Sequence, residues 1–159
     1  MYGNNNISLY YYYMIWGKYT WYFFHTMAEK IKEEEFYKNR ELLFTILKQV
    51  CGALPCPTCR AHAVQSLKTV RWDQINTKND FKMFIFGFHN KINTRKRIKT
   101  ETVAALEKYK SANFNAIITA FSKAFNTKTP QLMSEQMNRR MVVNDVLNKI
   151  RNNRHLFNP

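Results

Sequence analysis

Apolar positions along the chain recur with a helical period. Trp16, Thr20, Phe23, Phe24, Met27 and Ile31 fall at i, i+4, i+7, i+8, i+11 and i+15, one face of a helix that becomes regular from Trp16. Trp21 and His25, also four apart, form a second face, so this helix contacts something besides its own bundle. A second helix is predicted over 34–50. Glutamates stand at its start, where the dipole favours them, Leu43, Ile46, Leu47 and Val50 make its buried stripe, and Gly52 stops it. Pro55 keeps the chain extended before Cys56, and Pro57 suits the first position of a third helix running to about Lys68. Residues 69–79 read as a loop or short turn.

Asn79 or Asp80 is placed to cap a fourth helix. Phe81, Phe84, Ile85, Phe88 and Ile92 line one of its faces, and Phe86, His89, Asn90 and Asn93 the adjacent one. A fifth helix is expected after Thr100 over 101–110, its continuation toward Phe125 left open. Pro130 opens a last one, with Leu132, Met133, Met137, Met141, Val142 and Leu147 as its core side. The expectation is an all-α protein: an arm at 1–13, a helical domain at 14–110 and a basic helical extension at 111–159.

Composition supports this. With 4 Gly and 4 Pro in 159 residues the chain has too few turn formers for a sandwich or barrel. The apolar stretch from Leu9 to Phe24 is interrupted by Gly17, Lys18 and Thr20 and is rich in Tyr and Trp, which favours a core helix over a membrane span. The N-terminal residues lack a basic segment and a cleavage site, so a cytoplasmic rather than secreted protein is expected. A net charge of +14 suits a polyanionic partner such as nucleic acid, or simply a well-solvated surface.

The chemistry concentrates at Cys51, Cys56 and Cys59, the only 3 cysteines. Zinc would need four ligands, and Cys56, Cys59 and His62 supply three, with Cys51 or His89 as a fourth in no usual zinc spacing; no metal site is expected. A structural staple over so short a loop removes little entropy from the unfolded chain. A redox pair fits the position better. At a helix start, unpaired N–H groups and the dipole favour a thiolate at the first sulfur, the property that disulfide exchange requires. A thioredoxin fold would set the pair after a strand, and no βαβ pattern is present; nor do the isolated glycines form a dinucleotide fingerprint.

Three blocks then occur in order: Trp16-Gly17-x-x-x-Trp21-x-x-x-His25, then Cys56-Pro57-Thr58-Cys59-Arg60-Ala61-His62, then His89-Asn90-x-x-Asn93 followed by basic residues. Over about 16–110 this set resembles the Erv/Alr family of FAD-dependent sulfhydryl oxidases, and is most similar to the compact forms of large cytoplasmic DNA viruses. The resemblance implies a four-helix bundle holding FAD, with a short fifth helix. It implies that Cys59 is the flavin-proximal cysteine and Cys56 the outer one that exchanges with substrate. Trp16, Trp21, His25, His62, His89, Asn90 and Asn93 map onto FAD-contacting positions, and Arg97 and Lys99 are the candidates for its pyrophosphate. Electrons from a dithiol substrate protein, perhaps a thioredoxin-like carrier, would pass through FAD to O₂ and give H₂O₂. A homodimer in the host cytoplasm or the virion is implied as well.

Two departures stand out. Leu54-Pro55 occupies a place where relatives often carry an aromatic residue, and no second, shuttle pair of cysteines is present. Cys51 reads as a small buried residue near a helix end. The rival readings are a basic helical nucleic-acid-binding domain and a small zinc-binding interaction module.

Overall fold

The computed structural model describes residues 4–128 and 132–159, with side chains from Ile15 onward. Six α-helices are present among them: α1 (Asn4–Lys30), α2 (Glu33–Gly52), α3 (Pro57–Lys68), α4 (Lys78–Arg95), α5 (Phe114–Phe125) and α6 (Met133–Asn152). Short 3₁₀ turns lie at Trp72–Gln74, Val103–Tyr109 and Arg154–Leu156. No strand occurs among the described residues; a single bridge joins Ile31 to Phe157. No described helix is long and apolar enough to cross a membrane.

Local chemistry sets the helix ends. Glu33, Glu34 and Glu35 occupy the first turn of α2 against the positive end of its dipole. Cys56 caps α3, with Pro57 in the position where a missing N–H costs nothing. α4 begins earlier than the sequence suggests. Thr77 is its cap, accepting from the Asp80 N–H at 3.0 Å, while the Asp80 carboxylate accepts from the Thr77 N–H at 2.9 Å. Asp80 is therefore the third residue of a capping box rather than the cap. At the other end, the Arg97 N–H donates to Thr94 O and the Ile98 N–H to Asn93 O, with Arg97 at φ 56°. This is a Schellman closure, in which a left-handed residue turns the chain out of the helix.

The α1 face read from the sequence is buried throughout: Trp16, Thr20, Phe23, Phe24, Met27 and Ile31 all lie inside. Against it pack α4 and α5, the latter through Phe23 and Phe121, whose rings stack at 4.4 Å. On the other side α2 carries Phe44, Ile46, Leu47 and Val50 into the same core and packs on α3 and α6. Each such ring or branched side chain, fully buried, contributes about 1.5–3 kcal/mol relative to exposure.

Three expectations change. Helical geometry already holds from Asn4, through residues expected to form an arm, whose first three lie outside the described residues. The helix expected over 101–110 is a 3₁₀ turn, and it does not run on toward Phe125: α5 is a separate element, where Asn113 is the cap, accepting from the Ala116 N–H at 2.9 Å. Pro130 lies outside the described residues, and α6 is described from Met133. The buried face of α6 is also different. Arg139, Val143, Val146 and Ile150 point inward, whereas Leu132, Met133, Met137 and Met141 are exposed. Residues after 110 share the main core: Phe114, Phe121, Phe125, Val143, Val146 and Ile150 join it. The C-terminus closes back on the α1–α2 turn, where the Lys32 N–H donates to Leu156 O at 2.9 Å.

Candidate functional site

The start of α3 presents a disulfide between Cys56 and Cys59, with Cα atoms 5.2 Å apart. The Cys59 N–H donates to Cys56 Sγ at 3.2 Å, so the first sulfur sits on the helix N-terminus as the motif requires. That placement favours negative charge on Cys56 when the pair opens.

Behind Cys59 lies a cavity of about 250 Å³ enclosed by four helices. α1 contributes Trp16, Gly17, Thr20, Trp21 and Phe24; Cys51 and Leu54 close it from the end of α2. From α3 come Thr58, Cys59, His62 and Ala63, and from α4 Phe88, Ile92, Arg95 and Lys96. Cys59 lines the cavity and Cys56 does not. Gly17 opens onto it: a Cβ there would meet nothing within 4 Å, so the glycine leaves space for a ligand rather than for a neighbouring helix.

On the far side of Trp21 is a second space, also about 250 Å³, lined by Lys18, Tyr22, His25, His89, Lys108 and Tyr109 among others. The Trp21 indole, which lines both spaces, stacks on His89 with centroids 4.0 Å apart. His89 Nδ1 and His25 Nε2 are 3.0 Å apart and share one proton between them, while His25 stacks on Tyr109 at 4.8 Å. Burial pushes His25 down to about 3, helped by the neighbouring His89 and Lys108; burial likewise pushes His89 down to about 4. Both rings are neutral at pH 7 and offer one donor and one acceptor each.

The two asparagines serve a loop. Asn90 donates to Glu101 O at 2.9 Å and accepts from the Glu101 N–H at 2.8 Å. Asn93, buried, donates to Lys99 O at 3.5 Å. Together they hold the basic segment 96–101 against α4. Neither lines the two cavities; nor do Arg97 and Lys99, which are exposed. The cations that do reach the Cys59 cavity are Arg95, in contact with His62 Nε2, and Lys96. Desolvation pulls the Lys96 ammonium below the usual lysine range, although the residue keeps much solvent contact.

The sequence motifs therefore bring Trp16, Trp21, His62 and Cys59 to one cavity, and Trp21, His25 and His89 to the other. Arg95 and Lys96 belong to the basic run 91–99 that sequence reasoning set against the pyrophosphate, but it chose Arg97 and Lys99 from that run; it missed Phe24, Phe88, Tyr109 and Lys108 as cavity residues. It placed Cys51 near a helix end without its position on the cavity wall. Cys51 is buried, and burial raises its thiol to about 12, so it stays protonated.

A mainly apolar space and a more polar one, with one indole in the walls of both, fit a two-part cofactor with a flat ring system at one end. The wall chemistry also suits FAD. Indole and phenyl faces meet Cys59, Gly17 makes room, neutral histidines offer hydrogen bonds, and a partly desolvated ammonium is available to an anion.

Comparison with known proteins agrees with this arrangement. The model of the Erv1/Alr family matches residues 18–114. The chain is 30% identical over 80 residues to proteins named "FAD-linked sulfhydryl oxidase" from African swine fever virus, among them those of the Warthog/Namibia and Pig/Kenya isolates. The aligned stretch covers 50% of this chain and 66% of each relative, slightly under two thirds of their length. No solved structure matches the chain at a significant level. A family match across more than half the chain, on a fold that sets the motif cysteine against an aromatic cavity, makes this protein a member of the Erv1/Alr family.

Proposed function

We propose that the chain is an FAD-dependent thiol oxidase that makes disulfides in a protein substrate. The observation that carries this reading is the division of labour within one disulfide: Cys59 lines the aromatic cavity, and Cys56 lies outside it at the helix start. One thiolate of a substrate dithiol attacks Cys56 Sγ, forming a mixed disulfide and releasing Cys59 as thiolate. The second substrate thiolate attacks the substrate sulfur of that mixed disulfide, and Cys56 leaves as thiolate, stabilised by the α3 N-terminus. The substrate is oxidised by two electrons and the Cys56–Cys59 pair is reduced by two. Bound FAD would supply the acceptor for those electrons and hand them to O₂, closing the balance as two thiols plus O₂ giving a disulfide plus H₂O₂.

The remaining residues bind and orient. Trp16 and Trp21 give apolar faces for a flat ring, His25 and His89 give neutral donors and acceptors, and His62 holds Arg95 at the cavity wall. Arg95 and Lys96 are the cations we assign to the pyrophosphate. Asn90 and Asn93 act through the loop they fasten, on which Arg97 and Lys99 stand. These 159 residues hold 3 cysteines, so within them Cys56 is the sulfur open to a substrate dithiol. A small protein with an exposed dithiol, such as a thioredoxin-like carrier, suits that route. A homodimer, and a place in host cytoplasm or virion, rest on the family resemblance alone. The two cysteines a zinc module would use are joined to each other.

The test is stoichiometry. Purified, flavin-loaded protein given a reduced dithiol protein in air is expected to form one H₂O₂ per disulfide, and Cys59→Ser to form none. Turnover retained without Cys59 would refute the reading. The Cys59→Ala variant, with Cys56 free, should also trap the oxidised form of its substrate, the Cys56 thiolate attacking the substrate's disulfide to form a mixed disulfide and release one substrate thiolate.

A further inference from the structure

α5 and α6 lie almost wholly beyond the family match, which ends at residue 114, and the redox chemistry uses neither. Between them runs an open groove of about 570 Å³. Its floor is aliphatic, from Ile118, Leu147 and Ile150. Its rim is cationic, from Lys123, Arg151 and Arg154, and no carboxylate lines it. None of the three cations is in an ion pair among the described residues. Arg154 is fixed by donating to Phe157 O at 3.1 Å and Asn158 O at 3.3 Å, and its guanidinium lies 5.6 Å from the centre of the Phe114 ring. The two acids of α6 are engaged elsewhere. Glu135 faces Arg60 at 3.6 Å, and Asp145 accepts from Gln49 at 2.6 Å.

On α6, Leu147 and Arg151 flank the buried Ile150, three and one positions away, which sets them along the edge of the groove. An aliphatic floor within a cationic rim suits a ligand that brings an apolar surface of its own.

We propose that the α5–α6 groove binds an acidic amphipathic helix of a partner protein. The partner's apolar stripe lies on the Ile118–Leu147–Ile150 floor, and its carboxylates face Lys123, Arg151 and Arg154. The charge pattern selects this occupant. A second copy of the chain meeting this face about a twofold axis would oppose the same cations to one another. A nucleic-acid strand would find cations but no aromatic stacking platform, and would waste the aliphatic floor. A membrane surface meets an amphipathic helix face in a plane and does not enter a trough between two helices. Helix-in-groove docking uses what is present, spaced apolar anchors with complementary charge at the rim.

The test uses full-length protein and a fluorescein-labelled peptide of about 18 residues, roughly five helical turns. The peptide carries Leu at i, i+3, i+4 and i+7 and Glu on the remaining face. Anisotropy titration near physiological ionic strength is compared with a scrambled peptide of identical composition. Binding should weaken about tenfold on scrambling, and about tenfold in the Lys123→Glu/Arg151→Glu variant, the loss expected for one or two charge-assisted contacts. Lys38→Glu/Lys68→Glu, with the same change in net charge on other exposed surface, should leave affinity within about twofold. Circular dichroism and melting of each variant confirm folding. Absence of binding, equal affinity for the scrambled peptide, or equal losses in both charge-reversal variants would overturn the proposal. So would displacement of the peptide by a DNA duplex or anionic vesicles at lower concentration than by unlabelled peptide.

Discussion

Lowering the pH from 6.5 to 5 should destabilise this protein through two neutral histidines. His25 and His89 share a hydrogen bond inside the aromatic cluster, with folded pKa values near 3 and near 4 against 6.5 unfolded. The unfolded chain therefore binds more protons than the folded chain in this interval. By linkage the stability contributed by the pair is present above pH 6.5 and is lost as pH falls toward the folded values. At about 1.36 kcal/mol per unit, 1.5 units cost about 2 kcal/mol for His25, which is 5% exposed. His89 is more open to solvent and coupled to His25, so about half that is expected from it. The pair then accounts for about 3 kcal/mol, a large fraction of a typical domain's stability. Most carboxylates titrate below this window. Urea denaturation at a fixed flavin concentration, repeated between pH 5 and 7.5, measures the slope. His25→Phe keeps a ring against Tyr109 and removes one titrating group, and should reduce the slope by more than half. A wild-type stability that is flat across the window, or a His25→Phe slope equal to wild type, would refute the buried neutral pair.

Other expectations follow from single positions. Gly17→Ala should raise stability by about 0.5–1 kcal/mol, since a mid-helix glycine gives way to alanine and the Cβ meets nothing, while lowering flavin content read from absorbance. Arg97→Gly should stabilise by about 1 kcal/mol in urea denaturation by relieving the left-handed residue, with flavin affinity unchanged. A large affinity loss would instead put Arg97 on the cofactor. Ile150→Ala should cost about 2–5 kcal/mol, whereas Met141→Ala should change stability by less than about 0.5 kcal/mol, which tests the buried face of α6 directly.

What the sequence made legible follows from how many constraints each segment carried. The α1 stripe had no competing apolar face, apart from the Trp21–His25 pair that turned out to mark the site. α6 had two. Its methionines recur at i, i+4 and i+8, and Arg139, Val143, Val146 and Ile150 at i, i+4, i+7 and i+11, so both sets fit a helix face, and period alone ranked Met above a buried arginine. Packing against α2 and α5 chose the branched residues, and Arg139 is accommodated by donating to Thr127 O at 3.2 Å. The Thr77–Asp80 spacing held a capping-box signal that was available and went unread, and Asn113 was likewise a visible cap. The cysteine pair and both tryptophans were legible because each block has fixed spacing within one helix or helix start. Tyr109 and Lys108 were not, since they reach the His25–His89 cluster from a 3₁₀ turn whose return path no local pattern specifies. Asn90 and Asn93 were correctly read as sharing the fourth helix, but their partners, Glu101 and Lys99, depend on how the loop doubles back.

The whole account turns on whether the cavity-lining sulfur of Cys59 communicates with a flavin in the cavity behind it. Flavin-loaded protein should be mixed anaerobically with excess dithiothreitol and followed by its visible absorbance. Wild type should bleach and recover on admitting air, and Cys59→Ser should stay oxidised with its bound flavin intact. Bleaching of Cys59→Ser at the wild-type rate would contradict it, as would flavin-loaded wild type that never bleaches.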